Sequence, residues 1–346
     1  MTSLQIIASS SDVQKILSLG FFSFVLSMVI TPMYTKLAFN GQWWKKPRTQ
    51  AVTGEVATVF KKLHLAKHER HIPTMAGMIF IVSIAIVTFG ANLSRSETWL
   101  PLAAMAGAGL IGLADDIFNI RGLGAGIAGM RTKLKTILLL GVSLVGGWWF
   151  YSKLGFSDIS IPFMNTPWHL GWLIVPLFML VVFTTANAVN ISDGLDGLAG
   201  GLSSVAFATY VIIALIEKKY GIAGFCMSVV GALLSYTWFN IYPARFFMGD
   251  VGSFALGTAL GVIAMLTNTV FILPVIGFMF VVEGGSSALQ ILSKKLRGGK
   301  KIFKSAPIHH HLEASGWPET KVTMRFWVIG QVAGVAGLMV FILGGH

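Results

Sequence analysis

Hydrophobic residues fall into ten long runs along the chain, each close to the length that crosses a membrane as a helix. A bilayer core of roughly 30 Å needs about 20 consecutive apolar residues. Runs near that length lie at 16–36, 74–92, 99–114, 134–151, 170–187, 199–216, 222–242, 253–268, 271–292 and 323–344. We therefore predict an all-α, polytopic membrane protein of about ten transmembrane helices, formed as a single domain over residues 1–346.

The composition agrees with this pattern. Hydrophobic residues make up 54% of the chain and charged residues only 12%, and the mean hydropathy of +0.73 is far above that of a soluble domain. The N-terminal residues lack a basic stretch and a small-residue cleavage site, so the first run is predicted to be a retained helix rather than a signal peptide. A single cysteine, Cys226, excludes an internal disulfide.

The chain has a net charge of +12, and its basic residues are concentrated on one side of the predicted membrane spans. Of the 26 Lys and Arg residues, 21 fall in the segments on one side of the ten spans, at 36–73, 114–135, 187–198, 241–252 and 293–325. The positive-inside rule makes this side cytoplasmic and places both termini outside. A basic inner face attracts anionic lipid and phosphorylated substrates, so we predict membrane lipid and no nucleic acid as a partner.

Two of the cytoplasmic connections are long and basic, and the first is predicted to carry a short amphipathic helix at 55–66. The outside loops are short. Among them, "GFSDISIPFMNTP" is predicted to form a small hairpin or a re-entrant piece.

Aspartates are concentrated at the cytoplasmic ends of the spans. Of seven in the chain, five lie there: Asp115, Asp116, Asp193, Asp196 and Asp250. A carboxylate in the hydrocarbon core costs roughly 2.5–3.5 kcal/mol on insertion scales, so acids at a membrane edge usually face a polar cavity, a metal or a partner. One such acid could simply be solvated, but five indicate a site.

The motif "GLADDIFNIRGLG" ends the third span with two adjacent acids, Asp115 and Asp116. On a helix they point about 100° apart, so both reach one pocket only if the helix unwinds at this point. One could bind Mg²⁺, which prefers oxygen ligands, while the other accepts a proton.

The motif "SDGLDGL" places Asp193 and Asp196 three residues apart, on one face if the segment is helical, with Ser192 available as a cap. Calcium loops and turns also use Asp and Gly, but the Glu of an EF-hand loop is missing. In "FFMGDVGSFALG", Asp250 lies between two glycines at the start of an apolar run, where a helix N-terminus favours anions. The preceding Phe246 and Phe247 could stack a base or pack at the interface.

The motif "SAPIHHHLEASGW" supplies His309, His310 and His311 beside a basic run. Three readings stay open: phosphate contact, a zinc site, for which the usual spacing is missing, or a plain loop. Lys133 and Lys135 begin the fourth span, where they could contact phosphate or reach for lipid headgroups. Glu283 and Gln290 could line the same cavity, or mark a break in the ninth span.

Together these groups supply carboxylates for a divalent cation, cations and histidines for phosphates, aromatic rings for a base, and apolar walls open to lipid. This set predicts phosphoryl chemistry between a nucleotide-linked substrate and a lipid, carried out by positioning and electrostatic stabilisation. A cation-coupled transporter also places acids within apolar helices, but near the midplane rather than at one edge.

On the motifs "IPTMAG", "LADDIFN", "KLK", "NAVNISDGLDGLAGG", "FFMGDVGSFALG" and "APIHHHLEASGWPETKVTMRFW", the chain resembles the polyprenyl-phosphate N-acetylhexosamine-1-phosphate transferases. The resemblance covers nearly the whole chain. The triple histidine between "AP" and "GWPE" is similar to the branch of the family that handles muramoyl-pentapeptide.

The resemblance implies a Mg²⁺-dependent enzyme of the bacterial inner membrane, a homodimer with its cleft on the cytoplasmic face. It implies transfer of phospho-MurNAc-pentapeptide from UDP-MurNAc-pentapeptide to undecaprenyl phosphate, giving lipid I and UMP. Transfer of another UDP-linked N-acetylhexosamine-1-phosphate to polyprenyl phosphate is the alternative.

The resemblance also implies roles for individual residues. Asp250 matches the magnesium ligand, and Asp115 and Asp116 match the paired acids, which serve as further metal ligands or as acceptor of the lipid phosphate's proton. The remaining matches are substrate contacts or, for the two histidines, groups near the sugar-phosphate: Lys133, Asn190, Asp193, Asp196, Asn240, Phe247, His309 and His310. Three more residues are predicted as substrate contacts: Thr74, Gln290 and His311.

The chain departs from the family pattern before "IPTMAG". Glu69 stands where the family has a lysine, and Arg70 or Lys67 could supply the missing charge. The glutamine expected after the "KLK" stretch is also absent.

Overall fold

A computed structural model describes residues 9–44, 71–123, 129–164 and 166–345. The predicted amphipathic helix at 55–66, together with Lys67, Glu69 and Arg70, lies outside these ranges. The elements in chain order are α1 (Ser10–Asn40), α2 (Gly77–Ala91), α3 (Trp99–Arg121), α4 (Thr132–Ser152), β1 (Asp158–Ile159), β2 (Trp168–His169), α5 (Ile174–Ser192), α6 (Leu198–Ile216), α7 (Tyr220–Asn240), α8 (Gly249–Leu266), α9 (Leu273–Ile276), α10 (Phe278–Leu296), α11 (Ile308–Glu313) and α12 (Glu319–Leu343).

The all-α membrane architecture is confirmed. Among the described residues, eight helices are long and apolar enough to cross a membrane, and α2 is a shorter apolar helix of 15 residues. The ninth predicted run is broken at Gly277 into α9 and α10, as one reading of the sequence had it. Of the two forms predicted for "GFSDISIPFMNTP", the hairpin is the one found, because β1 and β2 pair antiparallel with Asp158 opposite His169.

The helix α10 has its polar residues on the inside. The buried face includes Glu283, Ser286, Gln290 and Ser293, at spacings of three and four residues, while apolar residues of the same helix are exposed. That spacing is one face of an α-helix. A helix that turns its polar stripe inward and its apolar side outward is suited to line a polar site from within a membrane.

The central element is α8, in which every residue after Asp250 is buried. It packs against α2, α3 and α5. Small residues allow these backbones to approach closely: a Cβ at Gly112 of α3 would collide with the Asp250 carbonyl, and one at Gly77 of α2 would collide with the backbone of Gly252. This packing fixes the N-terminus of α8 beside the last turns of α3.

The structure decides two conditions that the sequence left open. The helix α3 does not unwind at Asp115 but continues to Arg121, where Gly122 ends it with a left-handed φ of +67°. Residues 193–197 form a turn rather than a helix, because α6 begins only after Gly197, whose φ is +78°. Ser192 is therefore the last residue of α5, and its hydroxyl donates back to the Ala188 carbonyl instead of capping a new helix.

Candidate active site

Three charged side chains from separate helices meet where α3 ends and α4 and α8 begin. The Lys135 ammonium lies 2.9 Å from Asp115 Oδ2 and 2.9 Å from Asp250 Oδ2. The second oxygen of Asp115 accepts the Met130 N–H at 2.6 Å. Asp115 is 2% exposed, Asp250 13% and Lys135 20%, so the cluster opens on the side of α8 and α4.

The sequence prediction named Lys133 rather than Lys135 as the phosphate contact. The structure leaves Lys133 exposed and brings Lys135 between the acids. Two residues apart on a helix, the two side chains point in nearly opposite directions. A signal was present in the sequence: Lys135 continues the buried stripe of α4 that runs through Leu139, Ser143 and Gly146 at spacings of four, four and three.

Asp116 points to a different place from Asp115. Its carboxylate is fully buried, and Oδ2 accepts the Val251 N–H at 3.1 Å in the first turn of α8. An acid at this position stabilises a helix N-terminus. Asp116 therefore holds the start of α8, and with it Asp250, while Asp115 is the member of the pair that faces Lys135.

Thr74 lies on the other side of the same helix start. It is buried, its carbonyl accepts the Tyr34 hydroxyl at 2.5 Å, and its N–H donates to the Trp43 carbonyl at 2.7 Å. A Cβ on Gly249 would lie 2.9 Å from Thr74 Oγ1 and would also collide with Asp116 Oδ2. The hydroxyl of Thr74 and the carboxylate of Asp116 therefore flank Gly249, where only a glycine fits.

The segment at 246–248 is fixed by its pairing with residues 73–77. The Phe247 N–H donates to the Pro73 carbonyl at 2.8 Å, and the Phe247 carbonyl accepts the Ala76 N–H at 3.0 Å. Phe246 is fully buried and packs edge-on against Tyr34 with the ring centroids 5.5 Å apart, whereas Phe247 is only half-buried. Of the two rings, Phe247 is therefore the one available to a ligand.

Asn190 joins α5 to the start of α8. Its Nδ2 donates to Ser253 Oγ at 2.8 Å, and Ser253 Oγ donates to the Gly249 carbonyl at 3.1 Å. Asn190 is also the last-turn residue whose carbonyl accepts the Asp193 N–H at 3.3 Å. It therefore links Asp250 and Gly249 to the turn at 193–197.

Two nearly buried residues hold that turn in place. Asp196 Oδ2 accepts the Ala244 N–H at 2.9 Å, and Asn240 Oδ1 accepts the Gly197 N–H at 3.0 Å. The Asp196 N–H in turn donates to Glu319 Oε1 at 2.7 Å. Asp196 and Asn240 are 2% and 3% exposed and shape the turn, whereas Asp193 is partly exposed at its start.

The three histidines have three different partners. His309 Nδ1 lies 2.7 Å from Glu283 Oε2, with both side chains fully buried. His310 Nδ1 lies 2.8 Å from Glu313 Oε2, while His311 Nδ1 accepts the Lys304 N–H at 3.1 Å. The histidines therefore do not converge on one point as zinc ligands, and His311 secures the preceding loop.

His309 reaches the turn at 193–197. A Cβ on Gly194 would lie 2.7 Å from His309 Cε1 and would collide with Nε2, so the imidazole rests directly on the turn backbone. The His310 ring meets it edge to face, with the ring centroids 4.1 Å apart. The helix α11 therefore brings His309 and His310 to the turn that follows α5.

Gln290 was predicted to contact substrate, but its amide is used by the protein. Its Oε1 accepts the N–H groups of Ile302 and Phe303 at 3.0 and 3.1 Å, and its Nε2 donates to the Phe303 carbonyl at 3.0 Å. One turn earlier, Ser286 Oγ accepts the Ile308 N–H at 2.9 Å. The polar stripe of α10 therefore positions the basic loop and α11.

Asp250 follows Gly249, whose carbonyl is joined through Ser253 and Asn190 to the turn at 193–197, and the turn in turn contacts His309. The loop that Gln290 holds carries exposed cations, among them Lys300 and Lys304. Within the described ranges, no group of three or more His, Cys, Asp or Glu side chains forms a ready-made metal cage.

Comparison with known proteins agrees with these motifs. Residues 98–268 match the family model described as glycosyl transferase family 4. A phospho-N-acetylmuramoyl-pentapeptide-transferase of Clostridium novyi is 36% identical over 320 residues, 92% of this chain and 94% of the relative. Transferases of the same name from Acetivibrio thermocellus and Syntrophus aciditrophicus are 40% and 41% identical, covering 91% and 77% of this chain and 91% and 78% of the relatives.

Proposed function

Because the chain belongs to the phospho-N-acetylmuramoyl-pentapeptide transferase family, we propose that it transfers phospho-MurNAc-pentapeptide from UDP-MurNAc-pentapeptide to undecaprenyl phosphate. A phosphate oxygen of the lipid becomes bonded to the sugar-linked phosphorus. The bond from that phosphorus to the bridging oxygen breaks, and UMP leaves with the electron pair. The products are lipid I and UMP.

The observation that carries this proposal is the Lys135 ammonium held between Asp115 and Asp250 at 2.9 Å from each. The cluster lies at the end of the helix bundle that bears most of the cations. Asp250 follows the half-buried Phe247 by three residues, and its neighbour Gly249 is joined through Ser253 and Asn190 to the turn on which the buried His309 rests. Phosphoryl transfer needs positioning and charge stabilisation more than covalent chemistry. A fixed cation between two acids at a membrane edge supplies both.

The residues present fit Mg²⁺. The Oδ2 atoms of Asp115 and Asp250 converge on a single cation position, as their shared contact with Lys135 shows. Magnesium is usually held by one or two carboxylates together with waters and substrate phosphates, so a complete protein cage is not required. When bound, the ion would neutralise charge on the diphosphate. Asp250 and Asp115 are the proposed ligands, and Asp116 supports them through α8.

Each remaining residue has a role that its surroundings support. Asp115 is the better placed of the paired acids to take the proton of the lipid phosphate, because Asp116 is tied to the α8 N-terminus. His309 and Lys135 would contact phosphate oxygens. Phe247 is proposed to stack on uracil, since it is the half-buried ring next to the turn that Asn240 holds.

Release of UMP by the purified protein tests the proposal. The protein is supplied with polyprenyl phosphate and Mg²⁺, with either UDP-MurNAc-pentapeptide or UDP-GlcNAc as donor. We expect turnover of the first donor only. Turnover of UDP-GlcNAc alone would replace the proposed substrate with another N-acetylhexosamine, and release from neither would overturn the transferase proposal.

The site is proposed to face the cytoplasm, with both termini outside and with the chain forming a homodimer, as the resemblance implies. The cation distribution supports the orientation. Exposed Phe163 lies in the hairpin loop and exposed Lys300 in the loop before α11. Because Cys226 is buried, a membrane-impermeant maleimide should label intact cells carrying Phe163→Cys and spare those carrying Lys300→Cys. The reverse pattern would invert the proposed topology.

A further inference from the structure

Glu283 is a fully buried acid of α10 that none of the proposed steps uses directly. Its side chain is 0% exposed, in the middle of a helix whose other side is apolar and exposed. An ionisable side chain within a membrane protein is costly and is usually retained because it acts on a partner. Its partner here is His309, whose Nδ1 lies 2.7 Å from Glu283 Oε2.

The imidazole of His309 is held from two sides. Glu283 contacts Nδ1, and the opposite edge of the ring, with Nε2 and Cε1, lies against the backbone of Gly194. The helix that carries His309 is anchored to the same face of α10, because Ser286 Oγ accepts the Ile308 N–H at 2.9 Å. The ring orientation is therefore set by α10 rather than by the short helix α11 alone.

We propose that Glu283 is a positioning residue for His309. The carboxylate accepts the hydrogen on Nδ1, fixes the angle of the ring and stabilises its positive charge, so that a protonated Nε2 faces the turn at 193–197 and donates to the phosphates bound there. Carboxylates fix histidines in this way at many catalytic and metal sites. The inference rests on the proposed function for the identity of the phosphates.

The neighbouring pair of Glu313 and His310 differs from that of Glu283 and His309 because both of its residues lie on the same helix. Glu313 contacts His310 Nδ1 at 2.8 Å from three residues further along α11. That carboxylate moves with its histidine, so it cannot fix α11 relative to the rest of the site. Glu283 reaches His309 from a different helix, 26 residues away in the chain, and so ties the ring to the frame of the bundle.

Two substitutions of Glu283 separate positioning from simple packing. Glu283→Met keeps a long side chain but removes the acceptor, while Glu283→Gln keeps an oxygen that can accept the Nδ1 hydrogen. We expect the kcat for UMP release to fall about 10- to 100-fold in Glu283→Met and less in Glu283→Gln, with KM for the UDP-sugar changed less than about threefold.

The matched control is Glu217→Gln, which removes a mostly buried acid paired with Lys219 at 2.9 Å, at the far end of the bundle. It should keep wild-type kcat.

Melting temperatures measured on the same samples decide between positioning and structure. If Glu283 is purely structural, kcat should follow melting temperature across the variants, and that result would overturn the inference. Retention of more than half of the wild-type kcat by Glu283→Met would overturn it as well. If Glu283→Met fails to fold, His309→Gln and the double variant with Glu283→Gln carry the test. The double variant should match His309→Gln within about twofold, and a further tenfold loss would contradict action through His309.

The inference and the proposed function fail in different ways. Absence of UMP release by the wild-type protein would overturn the function. Wild-type turnover that persists undiminished in Glu283→Met would overturn only the positioning role.

Discussion

The cation between Asp115 and Asp250 is the feature whose removal is most informative. Lys135→Met keeps the aliphatic length of the side chain and removes the ammonium that lies 2.9 Å from each carboxylate. Lys133→Met makes the same change two residues earlier, on an exposed side chain. The two variants have the same composition and net charge and both lie in the first turn of α4, so a difference between them reports the location of the charge.

The size of the effect follows from the geometry. At an effective dielectric constant of about 20, unit charges 2.9 Å apart attract by about 6 kcal/mol per contact. Desolvation of the three groups cancels most of this, and removing one partner from a buried ion pair typically costs about 3–5 kcal/mol of folding free energy. Loss of one preorganised electrostatic group at a reacting centre typically lowers kcat by about 10²–10³-fold.

We therefore expect Lys135→Met to lower kcat for UMP release by about 10²–10³-fold and to lower the melting temperature without Mg²⁺. In this variant no ammonium competes with Mg²⁺ for the two carboxylates. Added Mg²⁺ should therefore raise the melting temperature of Lys135→Met more than that of the wild type. Lys133→Met should lose less than about tenfold. Retention of more than a tenth of wild-type kcat by Lys135→Met, or an equal loss in Lys133→Met, would refute the assignment.

Three further changes test other parts of the site. Asp250→Asn should abolish Mg²⁺-dependent UMP release while the protein stays folded, and normal turnover would remove this residue from the proposed metal site. Gly194→Ala should lower kcat by displacing His309, whereas Gly285→Ala, where an added methyl meets open space, should not; equal activities would mean that the ring is free to move. Gln290→Leu should lower the melting temperature, because three partly buried hydrogen bonds to the loop are lost, each worth about 0.5–1.5 kcal/mol, and an unchanged value would contradict its loop-holding role.

The membrane architecture could be predicted from the sequence because it depends on length and polarity alone. A run of about 20 apolar residues has few alternatives to a spanning helix, since lipid cannot satisfy backbone polar groups. The hairpin of β1 and β2 was similarly predictable, because it depends on a short stretch of chain. The break of the ninth run at Gly277 was one of two readings, and the inward polar stripe of α10 could be recognised from the spacing of Glu283, Ser286 and Gln290 only once that helix was known.

The sequence was enough to predict which types of residue form the candidate site, but not how their side chains are arranged. Acids and histidines at one membrane edge stand out against an apolar chain, so Asp115, Asp250 and His309 could be found without a structure. Lys133 was chosen over Lys135 from the resemblance to the family, and the stripe of Leu139, Ser143 and Gly146 that continues to Lys135 could be identified as the buried side of α4 only from the structure. Similarly, the direction of Asp116 depends on whether α3 continues past it.

The sequence by itself determined that this chain crosses a membrane many times and collects acids, cations and histidines at one edge, because transfer free energy acts on each segment independently. Only the tertiary structure decided which of these groups meet. Contacts such as Asp115 with Lys135 and Glu283 with His309 join distant segments, and the close approach of α3, α8 and α2 at small residues sets which side chains face one another. Such contacts depend on how several helices pack together, which no single segment specifies.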